Sequence, residues 1–268
     1  MNYRGLKQAA RACLKDSTCH PRRLAALFLL CLYAVPLLSD AVSFLLEYRL
    51  SRATGLGAVS PRSQLELWTM GSFLVVLAWQ VLWNAGISLF SLRLSRGEPT
   101  GFRDLTAGFR QLGRVLVLAL LEGLYIWLWC LLFVIPGLVA AYRYRMALYA
   151  LLDDGNLTAS DALRMSARLT YGHKLELLVL DLHFLWYYLP SFAASLLVTS
   201  YQYGLTPHLR GVKGLVIVNL INLLLPLAMQ LAALAYVQTT EAHAYNWLLS
   251  LDRARRESVR HAYRPYKA

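Results

Sequence analysis

Tyr142-Arg143-Tyr144-Arg145-Met146-Ala147-Leu148-Tyr149 is an aromatic and arginine segment embedded in otherwise apolar chain. An apolar run from Val115 to Ile135 and then Pro136-Gly137 come before it. Asp153-Asp154-Gly155, a polar-apolar segment from Thr158 to Gly172 and His173-Lys174 come after it. From Arg114 to Asp153 is 40 residues. As one helix that length would reach about 60 Å, against a bilayer core about 30 Å thick. Proline breaks a helical ladder and glycine permits a reversal. The stretch therefore predicts two spans, 115–135 and 138–153, joined by a tight turn at Pro136-Gly137. One span followed by an interfacial helix is the other arrangement, and the two arginines keep it open.

Composition supports a membrane setting. The chain is 57% hydrophobic and 16% charged, whereas soluble domains run near about 45–50% and 25%. The runs are continuous and do not alternate with period two, which speaks against a β-barrel. Further spans are expected at Leu24–Leu46, Trp68–Leu92 and Leu175–Thr199, with Pro36 in the first and Pro190 in the last. Leu215–Leu249 is too long for one simple span, and Pro226 is expected to divide a short leading helix from a final span.

The fold class is thus all-α: a polytopic membrane protein with about six transmembrane helices in three hairpins, each preceded by a short cytoplasmic amphipathic helix. Residues 1–15 form the first of these, with Tyr3, Leu6, Ala10 and Cys13 on one face and Arg4, Lys7, Arg11 and Lys15 on another. Such a helix suits an anionic leaflet, and a solvated basic tail is the alternative. Phe102, Leu105, Phe109 and Leu112 share a face of the second. Thr158-x-x-Asp161 reads as a capping box opening the third.

The same order of amphipathic helix, basic entrance (Arg22-Arg23, Arg114, Lys174), proline-containing run and return span occurs three times, giving repeats 1–97, 98–156 and 157–250. The return spans end alike, in Ser88–Leu92, Ala147–Leu151 and Ala244–Leu248. Residues 251–268 read as a basic cytoplasmic tail.

The net charge of +12 is not read as nucleic-acid binding, because the arginines gather at span ends and in the tails. That pattern places both termini in the cytoplasm, with the chain crossing the membrane several times. Cys13, Cys19, Cys31 and Cys130 form no C-x-x-C pair and read as reduced packing residues. Arg22-Arg23 before an apolar run resembles a secretion signal, but the run is long and has no small-residue cleavage site, so it reads as an anchor.

Several segments resemble the bacterial membrane proteins grouped as domain of unknown function 975. They are Leu92–Glu98 with Phe102, Leu105 and Gly108-Phe109; Ile135-Pro136-Gly137 with Tyr142, Tyr144, Met146-Ala147 and Tyr149; Ser166 with Gly172-His173-Lys174; and the Tyr3–Lys7 and Thr239–Tyr245 strings. Pro226 lies farther upstream of Thr239-Thr240 than that family's pattern. The resemblance implies a multi-span bacterial membrane protein and brings no reaction. The fold is also similar to the membrane domain fused to some glycerophosphodiester phosphodiesterases, which hints at lipid chemistry by association.

Charged groups inside a membrane pair with one another or line a wet cavity. Glu122, Arg143, Arg145, Asp181 and Glu241 fall at similar depth and are the candidate binding residues for an anionic, lipid-like substrate. A structural ion-pair layer is the plainer reading of the same residues. Tyr142, Tyr144, Tyr149 and Trp186-Tyr187-Tyr188 line a ligand path or pack helices. His173, His183 and His243 form no metal motif, and no nucleophile elbow or phosphate loop occurs. No cofactor, metal or catalysis is expected. Two functions remain: a non-enzymatic carrier or binding protein for an amphiphilic anion, and a scaffold that docks protein partners through its amphipathic helices.

Overall fold

The computed structural model describes residues 3–16, 21–53, 60–202 and 212–262. The polar loop around Thr54–Gly57, most of the 200–213 loop and the last tail residues, Arg264 and Lys267 included, lie outside these. All regular elements among the described residues are helices, in the order α1 (Tyr3–Asp16), α2 (Pro21–Ala53), α3 (Ser60–Ser95), α4 (Phe102–Leu105), α5 (Ala107–Arg110), α6 (Leu112–Leu132), α7 (Val134–Tyr144), α8 (Ala147–Asp153), α9 (Ala159–Leu169), α10 (Lys174–Leu182), α11 (Leu185–Gln202) and α12 (Val212–Ala262). Three described stretches are long and apolar enough to cross a membrane: Arg23–Ser43, Glu66–Ser95 and Leu112–Leu132. The pair α10–α11, bent by 61°, makes a fourth if it counts as one span. Their large apolar side chains, Leu30, Phe73, Leu74 and Leu120 among them, point outward, as helices solvated by lipid require.

The turn after α6 is not at Pro136-Gly137. Phe133 adopts an extended conformation, and Pro136 is the third residue of α7, where helix N–H groups have no intrahelical acceptor and a proline costs little. Gly137 packs against α6 so closely that a Cβ there would sit 2.1 Å from Cys130 Sγ. The glycine thus serves the hairpin by close approach, not by turning. α7 has 11 residues, about 16 Å of helix, and the chain breaks again at Arg145-Met146 before α8. The expected single span 138–153 is therefore two short helices. The expected 175–199 span is likewise interrupted, at His183-Phe184. Pro226 does not divide the last segment: α12 runs unbroken for 51 residues with Pro226 inside it.

The expected amphipathic helix at 102–112 is also two pieces, α4 and α5, interrupted at Thr106. Leu105 is fully buried, but Phe102 and Leu112 are exposed. The break follows from a crossing with α3. A Cβ on Gly86 would lie 1.8 Å from the Leu105 carbonyl oxygen, and one on Gly108 would lie 2.0 Å from that of Leu82. Two backbones meet there with no room for side chains. α3 itself ends in a Schellman turn, with Glu98 N–H on the Arg93 carbonyl and Gly97 N–H on the Leu94 carbonyl. Gly97 takes φ +72°, which glycine adopts without strain. The third amphipathic helix forms as expected: Thr158 Oγ1 accepts from Asp161 N–H at 3.2 Å.

The three return strings meet in one core. Ser91 and Leu92, Ala147, Ala150 and Leu151, and Ala244, Tyr245 and Leu248 are all buried, and the Tyr149 and Tyr245 rings stack at 5.7 Å.

Gly86→Ala and Gly108→Ala are each expected to lose about 3 kcal/mol or to fail to fold, since the clash is with backbone and cannot relax by a rotamer change. Gly123→Ala, in α6 with nothing within 4 Å of its Cβ position, is the control and should hold or raise the melting temperature. Thermal unfolding in one detergent compares all three.

Candidate functional site

The candidate site is built on the two helix breaks. After α7 the backbone leaves the helix at Arg145-Met146, where broken helical hydrogen bonds need other partners. α9 supplies them. Ser166, fully buried, donates from its hydroxyl to the Arg143 carbonyl at 2.8 Å and accepts from Met146 N–H at 3.1 Å. The Thr170 hydroxyl lies 3.1 Å from the same carbonyl. One serine thus bridges the gap in the α7–α8 backbone.

The break carries Arg145 into a cluster with carboxylates from two other helices. Asp181, on α10, grips the guanidinium with both oxygens, one of them 2.7 Å from Nη2. Glu241, on α12, binds Nη2 at 2.6 Å. The Tyr142 hydroxyl donates to Asp181 at 2.8 Å, and the Arg145 guanidinium lies 5.7 Å from the Tyr142 ring centre. The side chains are 21%, 33% and 19% exposed for Arg145, Asp181 and Glu241, so the cluster is largely dry. It contains one positive and two negative formal charges. Tyr149, from α8, donates to Gln238 one turn before Glu241, at 3.2 Å.

Of the five residues expected in one polar layer, three therefore meet and two do not. Arg143 is exposed and lies over the Tyr144 ring at 5.6 Å; its contribution to the site is its carbonyl. Arg143 and Arg145 are two apart, which puts them on different helix faces. Glu122 makes no ion pair with the other four, being carried by α6 away from the α7–α10–α12 junction. Among the expected aromatic lining, Trp186 is exposed, whereas Tyr187 packs against Phe184, a buried ring outside that expected set that also meets Tyr236.

A second polar group gathers at the end of the bundle where α3, α8 and α12 meet. Arg96 clamps Asp153, with Nη2 at 3.0 Å, and reaches Asn246 at 3.2 Å. Tyr245 donates to Asp153 at 3.1 Å, and Asn246 donates to Ser95 at 2.8 Å. Arg96, Asp153 and Asn246 border an open cavity of about 400 Å³, which Arg253 and Glu257 also line. From sequence Asp153 is the last residue of the expected 138–153 span, and Arg96 a span-end charge; no signal in the chain joins two positions 57 residues apart. Nearby, Arg114 donates to the Leu157 carbonyl, and Asp252 pairs with Arg168 and Arg256. No group of three or more histidine, cysteine, aspartate or glutamate side chains suited to a metal occurs among the described residues.

Residues 130–252 match the family model described as "Protein of unknown function (DUF975)". The match covers both helix breaks, Ser166 and all three members of the Arg145 cluster. It bears out the resemblance over those residues. No curated protein and no solved structure matches the chain.

Ser166→Ala leaves a buried carbonyl and a buried N–H without their bridging partner, and should cost about 1–3 kcal/mol of stability. Ser166→Cys, nearly the same size with a weak donor, should lose less; chemical unfolding in detergent ranks them.

Proposed function

We propose that this DUF975 protein is a non-enzymatic carrier or binding protein of the bacterial cytoplasmic membrane, multi-pass with both termini cytoplasmic, for an amphiphilic anion met by Arg145. In this reading six segments cross the bilayer: α2, α3, α6, the broken α7–α8, the bent α10–α11 and α12. The observation that carries the reading is the coincidence of two helix breaks with one charged cluster. Discontinuous helices at bilayer depth are tolerated where they are buried in protein or line a cavity, and transporters place their substrate sites at such points. Asp181 lies seven residues into α10, about 10 Å of helix.

Both carboxylates already hold Arg145 through three of its five N–H donors, so an anion that reaches the remaining donors competes with them for the guanidinium. Binding then competes with an internal ion pair, which is how a carrier site avoids holding its ligand too tightly to release it. The orientation rests on charge: Arg96, Arg114, Arg168 and Arg253 gather at one end of the bundle through the contacts described above, and Arg93 joins them by pairing with Asp104.

The scaffold reading is less well supported. It needs free apolar faces on the amphipathic helices, but Ala10 of α1, Leu105 of α4 and Ala162 and Leu163 of α9 are buried within the bundle.

Native mass spectrometry on gently extracted protein tests the proposal. A stoichiometric anionic amphiphile is expected on the wild type. Arg145→Ala strands two carboxylates and is expected to cost about 3–5 kcal/mol, so it can simply unfold. The triple variant Arg145→Met, Asp181→Asn, Glu241→Gln removes all three charges together and should fold and lose the ligand. Retention of the ligand by that variant would reduce the cluster to a structural clamp. A bound protein without any small molecule would favour the scaffold.

A further inference from the structure

α1 does not lie free on a leaflet. Its side chains reach the residues that flank the Arg145 cluster on two helices. The Tyr3 ring stacks on His183 at 5.5 Å, and Lys7 Nζ lies 5.3 Å from the centre of the Phe184 ring. Those two residues form the α10–α11 break, two and three positions after Asp181. On α12, the Arg11 guanidinium lies 5.2 Å from the Tyr236 ring centre and Cys13 Sγ lies 3.7 Å from His243 Nε2, on either side of Glu241. Ala10, between these contacts, is fully buried. α1 is therefore a strap laid across the α10–α11 break and α12.

The strap is held in part by its basic side chains. Lys7 and Arg11 rest on ring faces, while Arg4 and Lys15 are exposed. Burial, and then the nearby charge of Arg11, lower the Lys7 amine from its ordinary value, which marks the docked position as an imperfect place for that charge. Ring faces and anionic headgroups attract a basic side chain with comparable strength. The same cations that fasten α1 to the bundle are thus suited to phosphate headgroups of the adjoining leaflet.

We propose that α1 is a latch operated by anionic lipid: headgroups that gather on the outward-facing Arg4 and Lys15 draw Lys7 and Arg11 off their rings and so free the α10–α11 break and the adjoining part of α12. The function assigned to the latch, loosening the helix break next to Asp181, rests on the carrier reading; the movement itself does not. With phosphatidylcholine, which has no net charge, α1 stays docked. With phosphatidylglycerol it leaves.

The test uses the full chain in lipid nanodiscs, with Cys19, Cys31 and Cys130 changed to Ala and His243→Cys placed opposite the native Cys13. Dibromobimane, a short bridging reagent that fluoresces once both thiols have reacted, reports the docked state. Bridging is expected in phosphatidylcholine and should slow at least about fivefold when half the lipid is phosphatidylglycerol. The quadruple variant Arg4→Gln, Lys7→Gln, Arg11→Gln, Lys15→Gln should lose that dependence on lipid. Should His243→Cys fail to fold, Tyr3→Cys with His183→Cys, in a background with Cys13 also changed to Ala, gives a second pair at the other end of the strap. Equal rates in the two lipids, or no bridging of either pair in phosphatidylcholine, overturn the latch. Because bridging reports α1 alone, that result leaves ligand binding at Arg145 to be decided by the mass measurement.

Discussion

The guanidinium of Arg145 sets the terms for the middle of this protein. A charge in a dry, apolar setting is expensive unless it is paired and hydrogen-bonded, and desolvation can exceed the gain from an imperfect pair. Arg145 is given two carboxylates, and they come from two different helices. To meet them the arginine has to sit where the α7–α8 backbone leaves its helix. That departure strands a carbonyl and an N–H, and α9 is held against the break by the serine that satisfies both. Ion pair, helix break and α9 position are thus one constraint seen from three sides. They also account for the buried chemistry of the region: Ser166 and Thr170 are fully enclosed polar residues with partners, not faults in an apolar core.

The basic end of the bundle follows a different logic. Its arginines are partly exposed and their pairs are weaker individually, yet each joins elements far apart in the chain. Arg96 ties α3 to α8 and α12, Arg114 reaches the carbonyls ahead of α9, and Arg168 ties α9 to α12. The positive charges that sequence reasoning assigns to topology also act here as bolts. Both roles are compatible, because a guanidinium can hold a carboxylate or carbonyl while its remaining donors face water or headgroups.

Much of this was legible in the chain, and the limits have physical reasons. The apolar runs at 24–46 and 68–92, and the one from 115 as far as Leu132, are helices because run length and continuity allow little else. The helix start at Thr158 was visible because N-cap chemistry is local. The common level of Arg145, Asp181 and Glu241 along their helices was visible too, since rise per residue converts position to height. Rotation about the helix axis was not, and it excludes Arg143. The helix breaks were misplaced for a related reason. Prolines 136, 190 and 226 all lie within helices, while Arg145-Met146 and His183-Phe184 contain neither proline nor glycine. Those breaks are not local preferences; partners such as Ser166, 20 residues from Met146, stabilise them. The division of residues 102–112 likewise depends on Gly86 of α3, which no periodicity within the segment reveals.

The pairing of Arg145 also turns chain order into a sequence of events in time. Its partners lie 36 and 96 residues downstream. At about 5–20 residues per second of synthesis, the arginine is made roughly 2–7 s before Asp181 and roughly 5–19 s before Glu241. Throughout that interval the guanidinium has no native counter-ion. In the six-span arrangement proposed above, an unpaired arginine inside the bilayer is costly, so α7 and α8 would not settle at full depth as soon as they emerge. They would wait near the headgroups or against the translocation machinery until α10, and finally α12, arrive. The middle of the protein is therefore completed last, and its two acidic residues govern when assembly can finish as well as how firmly it holds.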